Sequence, residues 1–234
     1  MVGLPKFASR LQLGFFPPNG RAFRLQPGPE FPKEMMGSGL QEELDKITDL
    51  LHEGLRNSNF NAEMHEGLQD LGIGTMNLLC EEGRFQGDLH FSSVPPTNLA
   101  LLPGRMDGVS DWFRWNDYMD ITEVKHRYPK AKYTEKMANE QKRNPKRKTK
   151  IVEATVYDEQ DRFKDEYTYY LISETDNCIL IKERLKGRGS QPWITTRWSK
   201  SGFEVWGRGP VLQAMPAIKT VSYTHLRAHE TVRN

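Results

Sequence analysis

NSNFNAEMHEGLQDLGIGTMNLLCE, residues 57–81, carries two periods in succession, and the change from one to the other decides the fold class. Phe60, Met64, Leu68 and Leu71 recur every three or four residues, which lays one apolar stripe along a helix. Gly72-Ile73-Gly74 closes that helix, because glycine enters helix-ending conformations without a steric penalty. From Thr75 the pattern shortens to that of a strand over 75–81. A helix feeding a strand, with more strands beyond it, predicts an α+β chain.

Toward the N-terminus, Leu40, Leu44, Ile47, Leu51 and Leu55 form a second stripe of helical period. Ser38 lies three residues before Gln41, the spacing of a capping box. Arg56-Asn57-Ser58-Asn59 is a short polar turn, so the two helices should pack antiparallel with their stripes facing each other or a common sheet. Leu4, Phe7, Leu11 and Phe15 make an earlier apolar-periodic stretch that breaks at Phe16-Pro17-Pro18-Asn19-Gly20. Phe23-Arg24-Leu25 reads as a short extended piece, and 26–37, with three prolines and two glycines, as loop.

Toward the C-terminus, 75–81, 89–94, 99–102 and 109–118 read as the strands of a meander, with turns such as 83–87 between them. Asp120 and Glu123 repeat the capping-box spacing and open a short helix that must stop before Pro129. A further helix is expected over 133–142. Strands at 151–157, 167–173 and 178–185 follow, with 193–198 as a fourth. Gly207-Arg208-Gly209-Pro210 suits a helix start, since proline at the first helical position loses no hydrogen bond, and Pro216 should kink or restart that helix.

Thirty-three Lys and Arg against 31 Asp and Glu leave a net charge of +2, so no global field points to nucleic acid. Any DNA-facing surface is local. The mean hydropathy of −0.70 describes a surface-rich chain that gains burial by assembling or carries long loops. Cys80 and Cys178 stand far apart without C-x-x-C spacing, which leaves them as small buried hydrophobes. No apolar run approaches the ~18 residues of a membrane span.

His52, His65, His90 and His126 are scattered, with no H-E-x-x-H, no G-x-S-x-G and no nucleophile beside a base, so no catalytic, metal or cofactor residues are assigned. Gly187-Arg188-Gly189 and Gly207-Arg208-Gly209 complete neither phosphate-loop motif and read as turns. Trp112, Phe113, Trp115 and Tyr118 resemble a base-stacking set, but strand alternation sends them to two faces and favours core packing. Lys142, Arg143, Lys146, Arg147, Lys148 and Lys150 surround Pro145, and their density predicts an exposed loop over 142–150 with no nearby acidic run to offset it. Its functional reading is a contact with phosphate or an acidic partner.

Four stretches then carry a specific likeness: SRLQLGFFPPNGRAFRL (9–25), NSNFNAEMHEGLQDLGIGTMNLLCE (57–81), LHFSSVPPTNLALLPGRMDGVSDWFRW (89–115) and WGRGPVLQAMPAIK (206–219). In their order they resemble the podovirus-type phage portal family, also called bacteriophage head-to-tail connecting proteins. The helix-to-strand join at 72–79, the Asp107-Gly108 turn leading to Arg114, and Gly207-Arg208-Gly209-Pro210 are its most specific parts. The resemblance implies a structural subunit of a twelve-subunit ring around a channel for double-stranded DNA, with no catalytic residues, because a separate terminase motor hydrolyses ATP. It implies partners in the terminase, the capsid or scaffold and the tail adaptor, no membrane, and a place in the virion after assembly in the host cytoplasm.

By the same resemblance, 1–74 form the helical part of the portal wing, 75–206 its β-rich part, and 207–221 the start of a helix toward the stem. Stem, clip and crown, and the helix that usually precedes Phe16-Pro17, are absent, which implies truncation at both ends. Residues 222–234, SYTHLRAHETVRN, resemble a translated sequencing-adapter tail and are set aside, together with the His225 and His229 pair. The alternative reading of the whole chain is a stand-alone nucleic-acid-binding module using 142–150.

Overall fold

The computed structural model describes residues 3–18, 20–29, 38–83, 88–104, 108–158, 166–187, 190–202 and 204–231, and of 38, 117, 118 and 221–231 the backbone alone. The fold is mixed α and β with antiparallel sheets. Its helices are α1 (Gly3–Phe15), α2 (Ser38–Asn57), α3 (Phe60–Ile73), α4 (Ile121–Arg127), α5 (Glu135–Arg143) and α6 (Pro210–Thr231). Its strands are β1 (Thr75–Glu82), β2 (Leu89–Ser93), β3 (Leu99–Pro103), β4 (Val109–Asp120), β5 (Lys148–Tyr157), β6 (Tyr167–Ser173), β7 (Cys178–Leu185) and β8 (Trp193–Arg197).

Strand β1 is buried on both faces, and the layers are built around it. Met76 and Leu78 join Phe60, Met64, Leu68 and Leu71 of α3, Ala8 of α1 and Phe91 of β2 in one core. On the opposite face Leu79 meets Trp193, Val94, Leu99, Leu101 and Trp112 in a second core between the two sheets. A third core, with Val124, Met137, Ile151, Leu171 and Leu180, seats α4 and α5 on the far end of the five-stranded sheet.

The sheet topology corrects the expected meander. Strands pair as β2-β1-β8 and β3-β4-β5-β6-β7, so β2 and β3 part company, and the chain crosses between sheets through Pro95 and a single 3-10 turn at Pro96–Asn98. A proline there donates nothing to a ladder, and the first sheet ends where it enters. Strand β8, expected as the fourth of the later group, returns to pair with β1 from Thr75↔Arg197 to Leu79↔Trp193.

Helix α1 takes up the spacing of Leu4, Phe7, Leu11 and Phe15 and lies on α3, directly ahead of Phe16-Pro17, where the resemblance left no helix. Helix α2 also forms as read, with Leu55 packed on the first core and Leu40 and Leu44 half-buried, but the middle of the stripe is not its buried face. Thr48 and His52 are buried, while Ile47, Leu50 and Leu51 are 45%, 66% and 43% exposed. The flank of α2 docks on the extended 21–25 segment instead. The Leu25 N–H donates to Thr48 Oγ1 at 3.1 Å, His52 Nε2 meets the Phe23 carbonyl at 3.1 Å, and Arg21 and Arg24 grip Asp49 and Asp45 through paired bonds of 2.7–2.9 Å. An extended strand beside a helix needs partners for its backbone, and only polar side chains supply them. Since α1 and β1 already cover α3, the antiparallel stripe-to-stripe pair expected for α2 and α3 does not form.

Other departures are local. The Ser38 side chain falls outside the described residues, and Gln41 turns its amide to the Leu25 carbonyl and to Asp45. Asp120 makes no side-chain capping bond, being still the last rung of β4 opposite Lys148. Helix α6 begins at Pro210 as expected, runs through Pro216 without restarting, and keeps a helical backbone past residue 222. The Asp107-Gly108, Gly187-Arg188-Gly189 and 83–87 turns fall partly outside the described residues.

Leu68 is 3% exposed at the centre of the first core, so Leu68→Asp is expected to cost about 4 kcal/mol or more through an unpaired buried charge. Leu50→Asp, on the exposed stripe of α2, is expected to stay within about 0.5 kcal/mol. Urea unfolding of the two variants measures the difference.

Candidate functional site

Two glycine pairs set the geometry at which the last helix leaves the body. The Gly209 N–H donates to the Ile73 carbonyl at 2.8 Å, the Trp198 N–H to the Gly74 carbonyl at 3.0 Å, and the Gly207 N–H to Thr75 Oγ1 at 2.7 Å. A Cβ on Gly74 would sit 2.1 Å from the Gly207 oxygen, and one on Gly209 would sit 2.2 Å from the Gly72 oxygen. Gly74 has φ 168°, an extended value open to any residue, so close backbone approach and not chain reversal requires glycine there. The helix-to-strand join and the Gly-Arg-Gly-Pro helix start, far apart in sequence, are thus one junction, and α6 is rooted on the end of α3.

Asp70 lies one turn before this junction and its carbonyl accepts the Gly74 N–H at 2.9 Å. Burial, with Glu66 nearby, pushes its carboxyl up to about 6. Arg208, between Gly207 and Gly209, pairs with Glu204 on the surface, which holds Glu204 below its usual range.

The two sheets are tied by reciprocal indole bonds. Trp112 Nε1 donates to Thr195 Oγ1 at 2.9 Å, Thr195 in turn donates to Asn77 Oδ1 at 3.0 Å, and Trp193 Nε1 donates to Thr155 Oγ1 at 3.1 Å. Where this interface meets the α4 end, Glu153 is 2% exposed and accepts from Tyr128 Oη and from Asn116 Nδ2, with Arg114 at 3.7 Å. Burial, then the Glu153 charge, drives the Tyr128 and Tyr169 phenols far above their ordinary values and raises Glu81. Tyr128 and Asn116 satisfy the buried carboxylate, while Arg114 Nη1 is buried without a hydrogen bond of its own. The cluster ties the end of α4 to the five-stranded sheet.

The six basic residues do not share one loop. Lys142 and Arg143 close α5, where cations favour the helix dipole, Lys146 and Arg147 lie in the turn, and Lys148 and Lys150 open β5. Acidic partners invisible in the linear sequence meet them. Arg147 pairs with Glu140 and, at 3.4 Å, with the almost fully buried Asp176, and Lys150 lies 4.0 Å from Glu174. Lys142, Arg143 and Lys146 are exposed.

Other residues singled out in the sequence have structural places. His52 stacks on Phe23 with centroids 4.3 Å apart, and His65 Nδ1 bonds Gln12 at 3.1 Å. His90 and His126 are exposed, on separate elements. Cys80 and Cys178 are half-buried thiols whose acidity burial weakens. Trp112 is buried in the core between the sheets, while Phe113 and Trp115 turn to the opposite face and stay partly exposed. Among the described residues no group of His, Cys, Asp and Glu could hold a metal, and no helix is long and apolar enough to cross a membrane.

A family model described as bacteriophage head to tail connecting protein matches residues 1–232. The chain belongs to that family. It is therefore a phage connector component, a part of the virion that assembles with head and tail proteins. No curated protein matches it. The glycine junction, the anchored α6 and the clamped sheets are the parts by which the connector holds its shape.

Gly209→Ala is expected to cost roughly 3 kcal/mol or to release α6, because the added carbon meets backbone that cannot yield. Limited proteolysis near residue 210 reads the release. Asp70→Asn has the opposite sign. A carboxyl raised in the folded state contributes stability below its ordinary value near 4, and that contribution is lost as pH rises through about 6. At pH 7 the amide should therefore stabilise the connector by about 1 kcal/mol, allowing for solvent screening, and flatten its stability between the two values. Thermal unfolding across pH 4–7 measures both.

Proposed function

We propose that the connector is the wing-forming part of a non-enzymatic portal subunit. Twelve copies would surround a channel through which double-stranded DNA is packaged and ejected. In this reading residues 1–74 are the helical part of the wing, 75–206 its β-rich part, and 207–221 the root of the helix that runs toward the stem. Family membership over nearly the whole chain supports it, together with one observation of the fold. Helix α6 is rooted backbone to backbone on α3, yet Leu212, Met215 and Ile218 of its outer turns are exposed. A rigidly anchored helix with exposed apolar side chains suits an element that finishes its packing in an assembly. The terminase, the capsid or scaffold and the tail adaptor are the proposed neighbours.

The role proposed for Lys142, Arg143, Lys146, Lys148 and Lys150 is a phosphate or acidic-partner contact in the assembled particle. Arg147 stands apart, because its pairing with Asp176 makes it part of the fold. Serine at the five lysine and arginine positions is expected to leave unfolding within about 0.5 kcal/mol per site while lowering DNA packaging at low salt, with the deficit shrinking as salt rises. Arg147→Ser alone is expected to cost about 1–3 kcal/mol by stranding a buried carboxylate. Packaging of the five-site variant at the unsubstituted level would reject the phosphate contact. Native mass spectrometry of assembled connectors tests the ring, and a stoichiometry other than twelve would reject that count.

A further inference from the structure

The five-stranded sheet covers one face and leaves the other bare. Side chains alternate along a strand, and residues in register share a face. Trp112, Arg114, Glu153, Thr155, Leu171 and Tyr169 therefore lie together on the face covered by the other sheet and by α4 and α5. The opposite face presents Phe113, Trp115, Val152, Val156, Tyr170 and Ile172, two from each of the three central strands and all partly exposed. Ile179 of β7, in register with Ile172, is 56% exposed on the same face. Among the described residues no helix or strand packs over it. An antiparallel sheet with a solvated face normally turns polar side chains outward, so this face is built for a cover.

The same alternation places Lys148 and Lys150 of β5 and Lys182 and Arg184 of β7 on that bare face. Arg184 is matched by Asp158 and Glu166, Lys182 lies over the Tyr170 ring, and Lys150 is near Glu174. A shallow groove lined by Val156, Thr168, Tyr170, Lys182 and Arg184 crosses it. The chain owns a second uncovered apolar surface, the Ile47, Leu50 and Leu51 stripe of α2, and its exposed neighbours Glu43 and Glu53 outnumber Lys46, which pairs with Glu43 at 2.8 Å, with Glu42 further round the helix.

We infer that the α2 stripe of one copy docks on the bare sheet face of the next. Helix against helix would set acid on acid, and sheet against sheet would set lysine on lysine. Only helix against sheet joins apolar to apolar with opposite charges at the rim. Such a contact uses two different patches, so each copy keeps one of each free for a further neighbour, which is the condition for a ring. The inference rests on the ring-subunit reading and assigns that ring its contact surfaces.

Disulfide trapping tests it on the full chain, with the half-buried Cys80 and Cys178 of the unsubstituted protein as background. A chain carrying both Leu50→Cys and Thr168→Cys should give, on oxidation, a ladder of dimers, trimers and higher species. A mixture of the two single variants should stop at dimers, and neither alone should exceed background. Lysine at Glu42, Glu43 and Glu53 should abolish the ladder, and glutamate at Lys148, Lys150 and Lys182 in the same chain should restore it. Dimers from Thr168→Cys alone would mean that sheet meets sheet, and would overturn the inference. If sedimentation shows oligomers of the chain that the cysteine pair fails to trap, the copies meet elsewhere, and the inference fails while the ring reading stands. A full-length connector that stays monomeric in sedimentation and untrapped overturns both.

Discussion

The contact of Gly72 and Gly74 with Gly207 and Gly209 is the constraint on which the rest of the architecture depends. It joins the C-terminal end of α3 to the N-terminal end of α6 through main-chain groups that no side chain could separate without breaking bonds of 2.8–3.0 Å. Because β1 starts at one side of this junction and β8 ends at the other, the pairing of β1 with β8 and the seat of α6 are consequences of the same approach. Backbone-to-backbone contact of this kind transmits position rigidly, since neither partner has rotamers to relax into.

From that junction β1 runs as the middle layer, with aliphatic and aromatic side chains toward α1 and α3 on one face and toward the second sheet on the other. The two sheets are held by directional bonds as well as by area. Each of Trp112 and Trp193 buries its ring in the shared core and sends its indole N–H to a threonine of the other sheet, so that sliding the sheets by one residue would strand buried donors. The Glu153 cluster fixes α4 on the five-stranded sheet in the same directional way. Its charge is deeply buried and tolerable only while Tyr128, Asn116 and Arg114 surround it.

This rigidity contrasts with what the outer surfaces leave undone. The stripe of α2, the outer turns of α6 and the second face of the five-stranded sheet each expose apolar area that a self-sufficient domain would bury. Their charges lean opposite ways, with acid in excess beside the α2 stripe and lysine in excess on the sheet face, although each side also holds partners of the other sign. A net charge of +2 conceals that imbalance, because the two excesses cancel in the total while standing on different faces. A connector component needs this combination of a stiff interior that keeps its surfaces in register and uncovered faces that neighbours complete.

The sequence by itself determined the elements. Periodicity located α3 and the strands β6 and β7 at their observed bounds or nearly so, and it separated Trp112 from Phe113 and Trp115, because both signals are local and depend only on how far apart side chains recur along the chain. The glycine motifs at 72–74 and 207–209 were visible as punctuation, and their likeness to a connector family was visible in their order. Tertiary structure alone decided which of these pieces meet. Nothing in the linear pattern says that Gly74 faces Gly207, that β8 leaves its neighbours for β1, that Asp176 and Glu140 neutralise Arg147, or that α2 buries Thr48 and His52 and leaves Ile47, Leu50 and Leu51 exposed. Those outcomes turn on which hydrogen-bonding groups must be satisfied once distant segments compete for the same buried faces, a competition that exists only in three dimensions.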